Sequence, residues 1–404
     1  MYENLAILAL FAFAYSVVAG RLGSTPFNGA LVYVAFGVVA GPAALGLLNL
    51  SISAEGIRLV AELTLGLVLF IDASNSDISV LRSAIKLPRR LLLVGLPLTI
   101  LLGVGVGAWL FPGMGLLEVA ILSTMLAPTD AALGKAVVTN ENVPAPMREG
   151  LNVESGFNDG ICVPILFTFL ALAAPSSGDE STGALALGLV AEEIGIGGAV
   201  GLGLSFLAAR ALKMSTQRGW IEHAWVGIPL VALALGIFTL AQFAGGSGFI
   251  ACFAGGLAFG VFAKEYKESL VVGAESGSEA FTLVTWVVFG AAVVLDHPGA
   301  ITWQVVVYAV LSLTVVRMLP VYLSLAGLGL QADAKLFIGW FGPRGLASVV
   351  FGVIVLQEHL PGSDTIIATT VATVVLSVIA HGLTANPFAT AFAARRQKSQ
   401  PSSG

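Results

Sequence analysis

The chain has 404 residues, of which 57% are hydrophobic and only 11% are charged, and its mean hydropathy is +0.93. Soluble domains carry roughly 25% charged residues, so the composition excludes an ordinary soluble enzyme and is typical of a polytopic membrane protein. A net charge of -5 without a long basic run does not indicate nucleic-acid binding, and two cysteines in apolar stretches support neither a disulfide framework nor a thiolate metal site.

Apolar segments of about 20 residues, the length that crosses a bilayer, predict an all-α fold with thirteen transmembrane helices. These predicted spans, numbered one to thirteen, cover residues 4–20, 27–48, 56–73, 89–111, 116–138, 147–173, 184–211, 224–243, 247–263, 279–295, 302–326, 335–356 and 364–388. We interpret residues 1–390 as a single transmembrane domain and residues 391–404 as a short cytoplasmic tail.

The distribution of basic residues predicts the orientation of the chain. Lys and Arg accumulate in cytoplasmic loops. If the spans alternate and the C-terminus is inside, all but three of the 19 Lys and Arg residues lie on the inner side. The exceptions, Arg58, Arg317 and Arg344, fall within spans. The sequence therefore predicts a multi-pass protein of the cell membrane with its N-terminus outside and its C-terminus in the cytoplasm.

Spans five and twelve are each predicted to be interrupted near the middle. Pro128 and Pro343 remove backbone donors, and Gly342 and Gly345 permit non-helical geometry. The two spans hold equivalent places in two six-span units, about 1–174 and 222–390, which span seven (184–211) joins, so the units have opposite orientation. Broken helices at equivalent positions of inverted repeats indicate the substrate site of a transporter. The alternative is two unrelated proline kinks.

Span six carries the densest set of polar residues. Glu154, Ser155, Asn158 and Asp159 share one helix face about 140° wide, at about 100° per residue. Asp159 is expected about 18 Å along this helix, close to the centre of a bilayer core about 30 Å thick. A charge at that depth costs about 2.5–3.5 kcal/mol, so these residues are functional candidates.

The groups in spans five, six and twelve predict a site for a monovalent cation. Carboxylate, hydroxyl and free carbonyl oxygens, including those at Thr129, suit a partly dehydrated alkali cation. We expect Arg344 to neutralise Glu154, which leaves Asp159 as the titratable acid. A carboxylate that binds either a proton or a cation, and faces each side of the membrane in turn, makes an exchanger.

Three segments resemble, in order and spacing, the signature segments of the NhaP/NHE branch of monovalent cation/proton antiporters. They are LAPTDAALG at 126–134, EGLNVESGFNDG at 149–160 and GWFGPRGLAS at 339–348. The likeness extends over nearly the whole chain, and the pair Asn158-Asp159 is similar to the ND pair of the electroneutral branch. The resemblance implies an NhaA-like antiporter fold, a homodimer, and unwound helices that cross in a mobile core.

The resemblance also implies roles for single residues. The cation site would be formed by Asp159, Ser155 and the chain at Thr129, with Glu154 near the ion. Asn158 is expected to steady Glu154 and Arg344 rather than bind the cation.

Two further acids have weaker assignments. Asp72 in span three matches a family position that contributes an acidic ligand, and the alternative is a helix-end residue at the cytoplasmic surface. Asp130 is expected to cap half-helix ends rather than bind the cation.

The predicted function is therefore electroneutral exchange of one Na+ (or Li+ or K+) for one H+, without a cofactor. A K+/H+ antiporter of the same fold is the first alternative. A remote alternative is a rhomboid-like protease with Ser247 as nucleophile and His381 as base. A channel would leave the titratable Asp159 and the broken helices unexplained. The sequence assigns no role to Arg317.

Overall fold

The computed structural model describes residues 2–22, 25, 28–48, 54–75, 86–130, 133–138, 140, 143–173, 180–222, 225–294, 300–358 and 360–399. Within these residues every regular element is a helix. The helices are α1 (Tyr2–Leu22), α2 (Gly29–Ala40), α3 (Ala54–Asn75), α4 (Lys86–Leu110), α5 (Leu116–Met125), α6 (Lys135–Val138), α7 (Ala145–Ala173), α8 (Glu180–Gln217), α9 (Ile228–Phe243), α10 (Gly248–Phe262), α11 (Lys267–Ala292), α12 (Trp303–Ser324), α13 (Ala332–Trp340), α14 (Leu346–Gln357) and α15 (Ser363–Ser399).

The helices follow the hydropathy of the sequence, and the chain is a multi-span membrane protein. Each of the thirteen predicted spans contains helix. Six helical stretches are long and apolar enough to cross a bilayer, namely Tyr2–Leu22, Lys86–Leu110, Ala145–Ala173, Leu187–Gln217, Trp303–Ser324 and Ser363–Arg395. The tail predicted at 391–404 begins inside α15, and residues 400–404 lie outside the described part of the chain.

The chain leaves helical geometry at both predicted breaks. In span five, α5 ends at Met125 and residues 128–130 have no regular secondary structure; residues 131 and 132 lie outside the described part. In span twelve, α13 ends at Trp340, residues 341–345 have no regular secondary structure, and α14 begins at Leu346. The prolines explain both ends, because neither can donate the hydrogen bond that continues a helix.

Small residues let the helices around these breaks pack closely. α8 packs against α10, and α10 in turn packs against α3. A Cβ atom at Gly197 would lie 2.6 Å from the carbonyl oxygen of Ser247, and one at Gly201 would overlap the backbone of Ala251. Close approach of backbones at small-xxx-small spacing is the usual way that membrane helices associate. On the other side of the core, α15 packs against α12 and α14, and α7 packs against α5.

Candidate functional site

The two broken segments meet at a point that we call the crossing, and one backbone hydrogen bond joins them there. The N–H of Asp130 donates to the carbonyl oxygen of Pro343 at 2.8 Å. The Asp130 side chain accepts from the N–H of Leu346 at 3.1 Å and from the N–H of Leu133 at 3.3 Å. Asp130 therefore caps the amino end of α14 from the opposite segment, where an acid also interacts favourably with the helix dipole. Gly345 makes this possible, because a Cβ atom there would overlap the Asp130 carboxylate.

Arg344 lies in the crossing and binds backbone carbonyls. Its side chain is fully buried. Its Nη1 donates to the carbonyl oxygens of Ala127 at 2.6 Å and Pro128 at 3.2 Å. A helix break frees such carbonyls from their helical partners, and the guanidinium satisfies two of them.

The predicted ion pair between Glu154 and Arg344 is wrong in this structure. Glu154 is paired with Arg317 of α12, whose two terminal nitrogens donate to the two carboxylate oxygens at 2.6 and 2.8 Å. Each side chain is only 1% exposed. A bidentate arginine–carboxylate pair is the strong geometry for such a contact. Among the described residues, the hydrogen bonds of Arg344 do not include Glu154. Arg344 interacts electrostatically with both Glu154 and Arg317.

Arg317 is a member of this buried core that the sequence did not predict. The sequence carries one signal for a buried role of Arg317, because this residue is one of three basic residues placed within spans. A buried charge requires a partner. With two buried arginines and several acids, helix position alone does not decide which residues pair.

The polar face of α7 binds the broken segment of span five at Thr129. The Asn158 side chain accepts from the Thr129 N–H at 3.2 Å and donates to the Thr129 hydroxyl at 2.7 Å. The Ser155 hydroxyl donates to the Thr129 carbonyl oxygen. The expectation that Asn158 steadies Glu154 and Arg344 is therefore wrong, because both of its polar groups are bonded to Thr129.

Asp159 lies one helical turn after Ser155 on α7, so the two side chains are on the same face. Its Oδ1 atom is buried and has no hydrogen-bond partner among the described residues. The carboxyl groups of Asp130 and Asp72 both act on it electrostatically. Asp72 belongs to the last turn of α3, so the structure brings three acids from three elements toward one region.

A small cavity reaches the crossing from the side of α6 and the first turns of α7. Its lining includes Thr129, Asp130 and Ser155 together with Val137, Leu151 and Phe341. Two residues that bond each other at the crossing, Thr129 and Ser155, thus both line this cavity.

The oxygen atoms around this region suit a hard monovalent cation. They combine a carboxylate, a hydroxyl and a peptide carbonyl, whereas transition metals favour imidazole or thiolate ligands. Within the described ranges, no three His, Cys, Asp or Glu side chains form a metal-binding group.

The residues of the protease alternative do not form a dyad. The Ser247 hydroxyl accepts from the N–H of Ile250 as the cap of α10. The His381 ring is bonded to Ser377 and to the carbonyl oxygen of Trp340. Ser247 is therefore bonded within its own helix, and His381 is bonded to its own helix and to the end of α13.

Comparison with known proteins finds relatives that are named as antiporters. The chain is 23% identical to the K+/H+ antiporter NhaP2 of Shewanella sp. (strain ANA-3) over 385 residues, which cover 93% of this chain but only 64% of that relative. It is 28% identical to the Na+/H+ antiporter NhaS2 of Synechocystis sp. (strain PCC 6803) over 413 residues, 95% of this chain and 69% of the relative. The chain thus spans less than two thirds of NhaP2.

A solved structure shares the fold. The sodium proton antiporter MjNhaP1 of Methanocaldococcus jannaschii at pH 8 superposes with a TM-score of 0.74 at 21% identity, over 94% of this chain and 99% of that one. The sequence model of the family described as "Sodium/hydrogen exchanger, transmembrane" matches residues 6–391. This family consists of cation/proton antiporters and not of enzymes, which confirms the predicted resemblance. Because the match covers nearly the whole chain, the protein belongs to the sodium/hydrogen exchanger family.

Proposed function

We propose that the protein exchanges Na+ for H+ across the cell membrane and that both ions compete for Asp159. One observation carries the proposal: a buried carboxylate oxygen of Asp159 without a hydrogen-bond partner among the described residues, one turn from Ser155 at a crossing of broken helices. The Ser155 hydroxyl shares the face of α7 that carries Asp159, and it is bonded to the Thr129 carbonyl oxygen. A cation would take these oxygens as ligands, and a proton would satisfy the carboxylate alone.

We infer a stoichiometry of one cation for one proton from the other charges in the core. Glu154 is neutralised by Arg317, and Asn158 is uncharged. Asp130 is held by two backbone N–H groups. Asp159 is then the acid that takes up and releases a charge, so a cycle would move no net charge. Asp72 is a second ligand or an attractor of cations in this proposal, since it acts electrostatically on Asp159.

We propose Na+ as the transported cation, and K+ is the alternative. Relatives are named both as Na+/H+ and as K+/H+ antiporters. The proposed exchange needs no cofactor, because the ions themselves are the substrates.

The proposed architecture has thirteen transmembrane helices in two inverted repeats, about 1–174 and 222–390, with a linker helix at 184–211. The broken helices at equivalent positions and the distribution of Lys and Arg support it. We place the N-terminus outside and the C-terminus in the cytoplasm, and we propose that the protein is a homodimer.

Exchange is tested by reconstituting the purified protein in vesicles with a trapped pH dye. Added Na+, Li+ or K+ should move protons out of acid-loaded vesicles, and an imposed membrane potential should leave the rate unchanged. Asp159→Asn should abolish exchange, because the amide cannot bind a proton and a cation in turn.

The control is Asp364→Asn, which removes an exposed acid in the first turn of α15 and should keep the parental rate. Exchange retained by Asp159→Asn would reject the site, and a rate that follows the potential would reject the stoichiometry.

A further inference from the structure

α15 contacts the second broken segment through two buried side chains, Ser377 and His381. They are 0% and 1% exposed and lie one helical turn apart. The Ser377 hydroxyl accepts from the N–H of Arg344 at 2.7 Å. The His381 Nε2 lies 2.9 Å from the carbonyl oxygen of Trp340, the last residue of α13. A helix break leaves such N–H and C=O groups without helical partners. Ser377 provides one for the Arg344 N–H, and His381 adds a second donor to the Trp340 carbonyl, which also accepts from the N–H of Gly342 at 2.9 Å.

The orientation of the histidine ring follows from its partners. The Trp340 carbonyl can only accept, so Nε2 of His381 carries a hydrogen. The Nδ1 atom lies 3.2 Å from the Ser377 hydroxyl and 3.0 Å from the Ser377 carbonyl oxygen. The Trp340 ring lies against the imidazole, with ring centroids 5.0 Å apart, and its Nε1 donates to Thr384 at 3.0 Å. The ring is therefore fixed by contacts at both nitrogens and on one face.

On both α7 and α15, a serine that bonds a broken segment is followed four residues later by a second polar side chain. On α7, Ser155 bonds the segment of span five at Thr129, and Asp159 follows four residues later. On α15, Ser377 bonds the segment of span twelve, and His381 follows four residues later. The position that holds the ion-exchanging acid on α7 thus holds, on α15, a side chain that donates to the backbone.

Arg344 connects this second contact to the proposed ion site. Its N–H is held by Ser377, and its guanidinium binds the carbonyl oxygens of Ala127 and Pro128, directly before Thr129. A displacement of residues 340–344 would therefore move the guanidinium away from the segment that offers the Thr129 carbonyl.

We propose that Ser377 and His381 are positioning residues for cation exchange: they hold residues 340–344 so that Arg344 keeps the Thr129 segment in the geometry that binds the cation. The proposal rests on the exchange function proposed above. Neither residue contacts the cation, and both act through the backbone of the broken segment.

The test compares four variants in the vesicle assay: His381→Leu, His381→Gln, Ser377→Ala and Thr373→Val. Leucine removes the donor to Trp340, whereas glutamine keeps an N–H donor at the end of a side chain of similar length. Thr373 is buried one turn earlier on α15, and its hydroxyl donates to the Thr369 carbonyl oxygen of its own helix at 2.7 Å. It is the matched control for loss of a buried hydroxyl.

We expect Ser377→Ala and His381→Leu to raise the apparent Km for Na+ at least about fivefold, the ratio that corresponds to about 1 kcal/mol, the typical net contribution of one hydrogen bond. His381→Gln and Thr373→Val should stay within about twofold of the parent, a difference below 0.5 kcal/mol on the same scale. The shift of the melting temperature with added Na+ should weaken in the same two variants, because ligand binding stabilises the folded state by mass action.

The outcomes separate the two proposals. A parent protein without exchange would reject the proposed function. A parent that exchanges, with Ser377→Ala and His381→Leu at the parental Km and the parental Na+-dependent melting shift, would overturn the positioning role. Should His381→Leu fail to fold, Ser377→Ala alone decides, since removing one hydroxyl oxygen leaves no large cavity. Equal loss in Ser377→Ala and Thr373→Val would also overturn the role, as it would show only general damage to α15.

Discussion

Two buried arginines have different partners in the core of this protein. Arg317 is matched by one carboxylate, Glu154, in a bidentate pair, whereas Arg344 is matched by the carbonyl oxygens of Ala127 and Pro128. Removing one member of a buried ion pair leaves an uncompensated charge and costs about 3–5 kcal/mol. The partner of each arginine therefore decides which substitutions rescue each other.

A double-mutant cycle distinguishes the observed pair from the predicted one. Glu154→Gln and Arg317→Met should each lower the melting temperature in detergent strongly, and the double variant Glu154→Gln/Arg317→Met should recover much of the loss. Arg344→Met should not be rescued by Glu154→Gln to the same extent, because Glu154 makes no hydrogen bond to Arg344. Equal rescue in both double variants would show that Glu154 serves both arginines.

The residue types in the sequence predict which charged and polar groups lie in this region. They do not predict which of these groups pair with each other. The acids of span six, the hydroxyls and the two arginines are all placed within spans by the sequence. Which of them touch depends on the tilt and rotation of α12 and α13 relative to α7, which single-sequence periodicity does not contain. Asn158 illustrates this: a carboxamide on the polar face was predicted, but its contact with Thr129 depends on where the broken segment passes.

Each of the two broken helices supplies a group that the other one requires. Asp130 of the first segment caps the amino end of α14, and Arg344 of the second binds the carbonyls that follow α5. The breaks themselves follow from Pro128 and Pro343 and were predictable. Their mutual capping depends on the crossing of two elements more than 200 residues apart in the chain, and local sequence does not reveal it.

Substitutions at Asp130 separate capping from ion binding. Asp130→Asn keeps a side-chain oxygen for the N–H of Leu346, so it should retain folding and most of the exchange rate. Asp130→Leu removes the cap and should cost about 0.5–2 kcal/mol of stability, with a clear loss of exchange. Melting curves and vesicle exchange measure the two effects. An Asn variant as inactive as the Leu variant would mean that the charge of Asp130, rather than its capping oxygen, is needed.

At the scale of the whole molecule, the proposed topology decides which loops face the cytoplasm. The spans alternate, so residues 111–115 between α4 and α5 should be outside, and the end of α8 should be inside. Both native cysteines are buried, which keeps background labelling low.

Single cysteines test this arrangement in intact cells. Gly113→Cys should react with a membrane-impermeant maleimide added outside, whereas Thr216→Cys should react only after the membrane is opened. Both positions are exposed in the folded chain, so access to the reagent depends on the side of the membrane alone. Labelling of Thr216→Cys from outside would contradict the thirteen-span orientation.

The place of Arg344 has a consequence for how many ions one molecule can hold. The carbonyls of Ala127 and Pro128 are the kind of ligand that would otherwise attract a second alkali ion, and the protein's own guanidinium already occupies them. Arg344 is thus a covalently attached cation that is never released. In the proposed exchange, this arrangement leaves the Asp159 carboxylate and the Thr129 carbonyl oxygen for one alkali ion at a time.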